Sequence, residues 1–476
     1  MSRKRILLVG ATGFIGKYLG ISLYRAGYDL VVLTRSPERA RRDLPYPCEA
    51  YPWTKAGDGS PESLEIPEAA IEGVHAVVNL AGESIAEGRW TSARKKALKD
   101  SRVHTTAAVS RAIAKAKNPP KVWLQTSATG FYGPRGSEDL TESSPAGQGF
   151  LAEICKEWEN AAQVSPQTNL RLIFLRVGVV LGRGGGALPK LVSLRQKGAS
   201  IVIGSGDQWL SWIHIDDLVN LMVHAIDDNR YSGPINGVAP KPCTWGELDL
   251  ALGSGGGTAL KAPSFAIRLA TGEGPIALAA SQKILPQRAT ELGFSFAFSD
   301  LESALFDILG PKDQRDDGWL YTTQFIPAPI SDVAPFFADE KNLEAITPPW
   351  LHFRVLGKST PSITNGTLIR YRLKLHGVPI KWLTKISDWH PEHGFVDEQL
   401  KGPYAKWVHR HTFEPFAGGT LMTDYVRFRL PMGMVGNIAA GWAVSHDVAK
   451  IFDFRRQYID KIYKKTSNKE SEVNPK

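Results

Sequence analysis

Arg5-Ile6-Leu7-Leu8-Val9-Gly10-Ala11-Thr12-Gly13-Phe14-Ile15-Gly16 decides how the first half of the chain reads. The apolar run Ile6 to Val9 suits a strand covered on both faces, as at the centre of a parallel sheet. Three glycines follow where strand must give way to helix, and each has its own task there. Gly10 permits a tight turn, Gly13 lets backbone approach a pyrophosphate, and Gly16 lets helix and strand pack closely. A helix opening at Phe14 and Ile15 turns its first N–H groups toward phosphate oxygens. Gly10, Thr12, Gly13, Phe14, Ile15 and Gly16 are therefore expected to form the phosphate turn of a dinucleotide site.

Moving outward, apolar runs at Leu30–Thr34, Ala76–Leu80, Val122–Ser127 and Leu172–Val177 alternate with helix-period stretches. Those helices are expected near 14–26, 91–116, 147–163 and 187–197. Strand and helix repeated in this order predict an α/β fold, a doubly wound parallel sheet. Cofactor choice is read where the second strand ends. An NAD site usually places a carboxylate there for the ribose 2′-OH. This chain has Leu33-Thr34-Arg35-Ser36. With no carboxylate to repel a 2′-phosphate and Arg35 able to pair with one, NADP(H) is expected rather than NAD(H). The plainer alternative is that Arg35 is a solvated surface arginine.

Gly253, Gly255, Gly256 and Gly257, then Gly272 and Gly274, punctuate residues 251–275 and predict a loop in a smaller subdomain. Gly310–Gly318 is polar and reads as an inter-domain linker. From Trp319 to Leu430 the period is mostly two, with turn signals at Asn365-Gly366, His376-Gly377 and Gly418-Gly419. An amphipathic segment over 443–463 follows. The expected organisation is a nucleotide-binding domain over 1–309, a linker over 310–318, an α+β domain over 319–465 and a disordered tail over 466–476.

Composition narrows the function classes. Apolar residues make up 43% and charged residues 22% of the 476, and the formal charge is +9. That is a soluble globular balance, and no dense basic stripe interleaved with aromatics points to nucleic acid. Cys48, Cys155 and Cys243 are sparse and lack metal-ligand spacing, which fits a reducing compartment. The apolar core after the basic residues 3–5 stops at Gly10, too short for an export signal. No run of about 18 apolar residues occurs, so no transmembrane segment is expected. A cytosolic location is expected, and oligomeric state stays open.

A wider resemblance rests on further motifs. Val78-Asn79-Leu80-Ala81-Gly82-Glu83, Arg89-Trp90, Ser101-Arg102, the glycine-rich 177–186, Ser211-Trp212-Ile213-His214-Ile215-Asp216-Asp217-Leu218, Ile235–Pro240 and Ser281–Arg288 follow one another at a recognisable spacing. With them residues 5–300 resemble an atypical "epimerase family protein" subfamily of the extended short-chain dehydrogenase/reductases, whose domain is a Rossmann fold. The resemblance implies an NADP(H)-dependent, oxidoreductase or epimerase-like enzyme. It also implies cofactor contacts at Thr34, Arg35, Leu80, Ala81 and Arg102.

In this superfamily a Ser or Thr, a Tyr and a Lys four residues after the Tyr carry the chemistry. Ser127 matches the first role and Lys156 the last, but Ala152 occupies the tyrosine position. Tyr132 either reaches the same pocket from a loop or packs beneath its lip. Ser127, Tyr132 and Lys156 are the catalytic candidates. Glu83, His104 and His214 are titratable neighbours that read as structural.

The stretch Trp319 to Tyr463 resembles the START-type helix-grip superfamily, near its polyketide-cyclase and lipid-transfer-like members. That implies a domain that holds a hydrophobic ligand in an apolar cavity. His409-Arg410-His411 places both histidines on one strand face. It reads as an exposed face and not a metal site, since no third ligand is evident. The expected function is an NADP(H)-dependent oxidoreductase acting on a small-molecule carbonyl or hydroxyl substrate. The alternative is a non-catalytic NADP(H) sensor that signals through the second domain.

Overall fold

Ile6, Leu7, Leu8 and Val9 have no exposed surface, because strands flank them on both sides and helices cover both faces. The computed structural model describes residues 3–55, 64–163, 169–203, 205–253, 260–262, 280–315 and 317–473. The chain divides, in the main, into compact units of residues 1–315 and 316–476. Most of the glycine-punctuated stretch over 251–275 lies outside the described residues.

In the first unit β1 (Lys4–Val9) pairs in parallel with β2 (Tyr28–Thr34) and, on its other side, with β4 (Ala76–Asn79). Beyond β2 lies β3 (Glu49–Pro52); beyond β4 lie β5 (Val122–Ala128), β6 (Arg171–Val177) and β7 (Gly233–Gly237). The order β7-β6-β5-β4-β1-β2-β3 is parallel throughout. Strand order therefore reverses beside β1, where such sheets open a crevice at their carboxyl ends. Among its helices are α1 (Phe14–Arg25), α2 (Pro37–Asp43), α3 (Ser92–Lys115), α4 (Phe150–Asn160) and α5 (Ile215–Asp227). The chain leaves β1 in opposite directions, so right-handed crossovers place α1 and α3 on opposite faces. Leu7, Val9, Val31, Val77 and Trp123 form one core with Val109 and Ile113 of α3.

The second unit is an antiparallel sheet with helices. It contains β8 (Gly318–Ile326), α6 (Ile330–Ala338), β9 (Arg354–Lys358), β10 (Leu368–Leu375), β11 (Val378–His390), β12 (Gly394–Lys401), β13 (Lys406–Phe416), β14 (Gly419–Arg429) and α7 (Met434–Val473). Strands run in the order β8-β14-β13-β12-β11-β10-β9. His376 and Gly377 both have positive φ, 50° and 84°, which matches the twist a two-residue hairpin between β10 and β11 needs. On one face Phe413, Met422, Val426 and Phe428 pack under Val448, Phe452, Ile459 and Tyr463 of α7. Helix α7 runs through Val473.

Arg315 and Asp317, on either side of the boundary, are each held within their own unit. Arg315, 2% exposed, donates to the Ala251 carbonyl and the Glu302 carboxylate. Asp317, also 2% exposed, is paired with Lys406, Arg427 and Arg429. Among the described residues no helix is long and apolar enough to cross a membrane.

Candidate active site

The turn after β1 is held by backbone geometry. Gly10 has φ +86°, and a Cβ there would lie 2.9 Å from the Leu80 carbonyl carbon and 3.0 Å from the Ala81 nitrogen. At Gly16 a Cβ would lie 2.5 Å from the Ala11 carbonyl oxygen. These two glycines are steric requirements. Gly13 is different: its φ is an ordinary −74°, and the nearest obstacle to a Cβ is the Gly10 oxygen at 3.3 Å. It leaves open space at the mouth of the turn, where Thr12 and Gly13 are exposed. No side chain caps α1 and no acid stands in its first turn, so the positive end of the helix faces outward. The Phe14 ring closes the opposite side, with Gly182, Gly185 and Gly186 packed against it; Ile15 is half-buried.

At the end of β2 the Thr34 hydroxyl accepts a hydrogen bond from the Ser36 N–H at 3.3 Å. Arg35 is exposed and has no carboxylate partner among the described residues. Its neighbours are committed elsewhere: Arg39 and Arg42 pair with Asp43, and Arg41 donates to the Ala50 carbonyl. An unneutralised guanidinium thus stands at the strand end where a ribose phosphate would arrive.

The wall formed by Leu80 and Ala81 is fixed from below by Asn79, which sequence reasoning had quoted without assigning a role. Its buried amide donates to Thr106 Oγ1 at 3.1 Å and Gln125 Oε1 at 2.9 Å, and its oxygen accepts from the Ala81 N–H at 3.1 Å. Trp158 Nε1 donates to Thr106 at 3.0 Å. Arg102 lies beneath the loop, donating to the Glu83 carbonyl at 2.9 Å and the Leu98 carbonyl at 2.8 Å, with its guanidinium over the Trp158 ring. Burial lowers its pKa. Polar residues ending apolar strands, Asn79 and Gln125-Thr126-Ser127, were the available signal.

Ser127 lies at the end of β5, 3% exposed, and its Oγ makes no hydrogen bond within ordinary limits. The Cys155 thiol on α4 senses it weakly; burial pushes that thiol up to about 11. Tyr132 does not reach a pocket from a loop. It is fully buried among Leu140, Val238 and Ile284. Its hydroxyl donates to Asn236 Oδ1 at 2.7 Å and accepts from Arg176 at 3.0 Å, and burial raises its pKa. Ala152 is fully buried while Lys156 is exposed, so α4 presents no Tyr–Lys pair to Ser127. His214 caps α5 through Nδ1, and Glu83 pairs with Arg94. What the geometry brings together, among the described residues, is an anion-ready glycine turn after β1, a guanidinium without a carboxylate partner after β2 and a buried hydroxyl at the end of β5.

The histidine pair expected on an exposed strand face is buried. His409 and His411 are each 4% exposed, because their face of β13 is the one that α7 covers. Asp397 and Asp424 from the neighbouring strands flank them.

Comparison with known proteins adds the following. A model described as the NAD dependent epimerase/dehydratase family matches residues 6–236, and a domain of unknown function, DUF1731, matches residues 262–308. The chain is 38% identical over 312 residues to the chloroplastic epimerase family protein SDR39U1 homolog of Arabidopsis thaliana, across 65% of this chain and 87% of that protein. Against the epimerase family protein SDR39U1 of Homo sapiens identity is 34% over 311 residues, across 64% and 99% respectively. The crystal structure of that human protein (isoform 2) with NADPH aligns with a TM-score of 0.56 at 34% identity, covering 64% of this chain and 98% of that one. A nucleoside-diphosphate sugar epimerase from Corynebacterium glutamicum aligns with a TM-score of 0.51 at 31% identity, covering 65% and 59%.

Proposed function

Because the chain belongs, through its first unit, to the NAD dependent epimerase/dehydratase family, we propose that it is an NADP(H)-dependent oxidoreductase acting on a carbonyl or hydroxyl substrate. One observation carries the proposal: the uncapped glycine turn of α1 and Arg35, which has no carboxylate partner among the described residues, stand at adjacent strand ends of the crevice. The human relative solved with NADPH supports the same cofactor. In this reading the N–H groups after Gly13 hold the pyrophosphate, Arg35 pairs with the 2′-phosphate, and Leu80 and Ala81 wall the adenosine side. Thr34 and Arg102 complete those contacts, Arg102 by supporting the loop. The nicotinamide, when bound, supplies or takes the hydride. Ser127 donates a hydrogen bond to the substrate oxygen, which suits a buried hydroxyl whose neighbour is the weakly hydrogen-bonding Cys155 thiol. Tyr132 acts as a positioning residue under the strand ends, and the exposed Lys156 is given no contact with the substrate oxygen.

The second unit is proposed to be a START-type helix-grip domain that takes a hydrophobic ligand. Its sheet, α6 and α7 line a partly open cavity of about 180 Å³ that includes Phe337, Tyr371, Trp382, Phe395 and Trp407. Three free thiols support a cytosolic setting.

A second reading is favoured by the missing tyrosine, the buried Ala152 and the outward Lys156: a non-catalytic NADP(H) sensor. Deuteride transfer from labelled NADPH to a panel of carbonyl compounds separates the two. The oxidoreductase reading expects label in a product and a loss of roughly 10²-fold or more in Ser127→Ala. Tight NADPH binding with no transfer to any member supports the sensor instead.

A further inference from the structure

Three neighbouring strands of the second unit bring two imidazoles and two carboxylates together. Asp397 on β12 stands opposite His409 on β13, and His411 on β13 opposite Asp424 on β14. Asp424 Oδ1 lies 3.0 Å from His409 Nε2 and 2.9 Å from His411 Nδ1, ordinary hydrogen-bond lengths. The other two ring nitrogens face a single oxygen, Asp397 Oδ2, at longer range: His409 Nδ1 at 3.3 Å and His411 Nε2 at 3.5 Å.

A neutral imidazole has one N–H and one lone pair. If all four N···O approaches were hydrogen bonds, both rings would be cationic with centroids only 3.7 Å apart. Arg455, 7% exposed and 3.2 Å from His411 Nδ1, would add a third positive charge against two carboxylates. If one ring is cationic and the other neutral, one lone pair still faces a carboxylate oxygen; if both are neutral and donate to Asp424, two lone pairs converge on Asp397 Oδ2. A divalent cation removes that conflict. Ligand atoms about 2.0–2.1 Å from a tetrahedral ion stand about 3.3 Å from one another, close to the two observed separations. Asp424 then does what outer carboxylates do for metal-bound histidines, fixing tautomer and ring orientation.

We propose that Asp397, His409 and His411 bind a divalent first-row transition-metal ion, with Asp424 orienting both imidazoles and a coordination position open to the apolar cavity. All three ligands come from strands, which holds them rigidly, and all three line the cavity. With a 2+ ion, two carboxylates and Arg455, one positive charge is left over, which suits a hydroxide or an anionic head group on an apolar ligand. The proposal stands apart from the nucleotide reading.

The test is a titration of the full chain, stripped by chelator, with Co²⁺, followed by its visible absorption and by displacement with Zn²⁺. One saturating equivalent is expected. Asp397→Asn should weaken binding by at least about tenfold and His411→Ala by about 100-fold or more, while His376→Ala, at an exposed hairpin histidine, leaves it unchanged. Circular dichroism identifies folded variants, and Asp397→Asn, nearly isosteric, decides the matter if His411→Ala does not fold. The absence of a saturable band in the native chain, or a band equally strong in folded Asp397→Asn, overturns the site.

Discussion

Tyr132 donates its hydroxyl proton to Asn236 across 2.7 Å with both groups sealed from solvent. The same hydroxyl accepts from Arg176, whose guanidinium is held by Glu159 in a two-pronged pair. Removing the oxygen leaves Asn236 and Arg176 short of a buried partner. Tyr132→Phe should therefore lower stability by about 1–3 kcal/mol and leave NADPH affinity within about twofold. Denaturant unfolding and calorimetry check the two halves, and an affinity loss without a stability loss would place the phenol in the site after all.

Glycines at positive φ should not respond alike to alanine. At Gly27, φ +90°, nothing lies within 4 Å of a new Cβ, so only the left-handed backbone resists, costing about 1–2 kcal/mol. At Gly10 the same strain meets the Leu80 carbonyl at 2.9 Å, and the loop that walls the site must move. Gly10→Ala should cost at least about 3 kcal/mol and abolish measurable nucleotide binding; Gly27→Ala should leave binding intact.

The Asn79 network predicts coupling between core and site. Asn79→Ala removes bonds to Thr106 and Gln125 and frees the Ala81 N–H. A destabilisation of about 2–3 kcal/mol is expected, with NADPH affinity falling by about tenfold because Leu80 and Ala81 lose their anchor. Equal affinity in a folded variant would separate the network from the site.

Burial pushes the Cys48 and Cys155 thiols up to about 11 and the Cys243 thiol to about 12. The thiolate is the reactive form, so at pH 8 no more than about one thiol in 10³ is ionised at any of these positions. Native protein should resist iodoacetamide at pH 8, while unfolded protein labels at all three cysteines. Mass spectrometry of the intact chain reads this directly.

How much of this was legible in the sequence depended on whether partners lay close along the chain. Gly10, Gly13 and Gly16 lie close along the chain, and their spacing carried the turn from β1 into α1. The sheet's edges were missed. Glu49–Pro52 and Gly233–Gly237 contain proline and glycine that break a strand pattern, yet edge strands tolerate both. Asn79, Thr106 and Gln125 meet from two strands and a helix, and no local pattern announces such a network. His409 and His411 read as an exposed face because alternation gives a shared side without saying which side α7 covers. Asp397 and Asp424, the missing partners, stand more than ten residues away on either neighbouring strand.

On the proposed reading, Arg35 selects a phosphorylated ribose beside an uncapped helix. Isothermal titration of the purified chain with NADPH and NADH tests it most directly. NADPH should bind at least about tenfold more tightly, and Arg35→Ala should erase that margin by weakening NADPH alone, since a charge-assisted pair contributes about 1.5–3 kcal/mol. Equal affinity for the two cofactors, tighter binding of NADH, or no binding of either would contradict it.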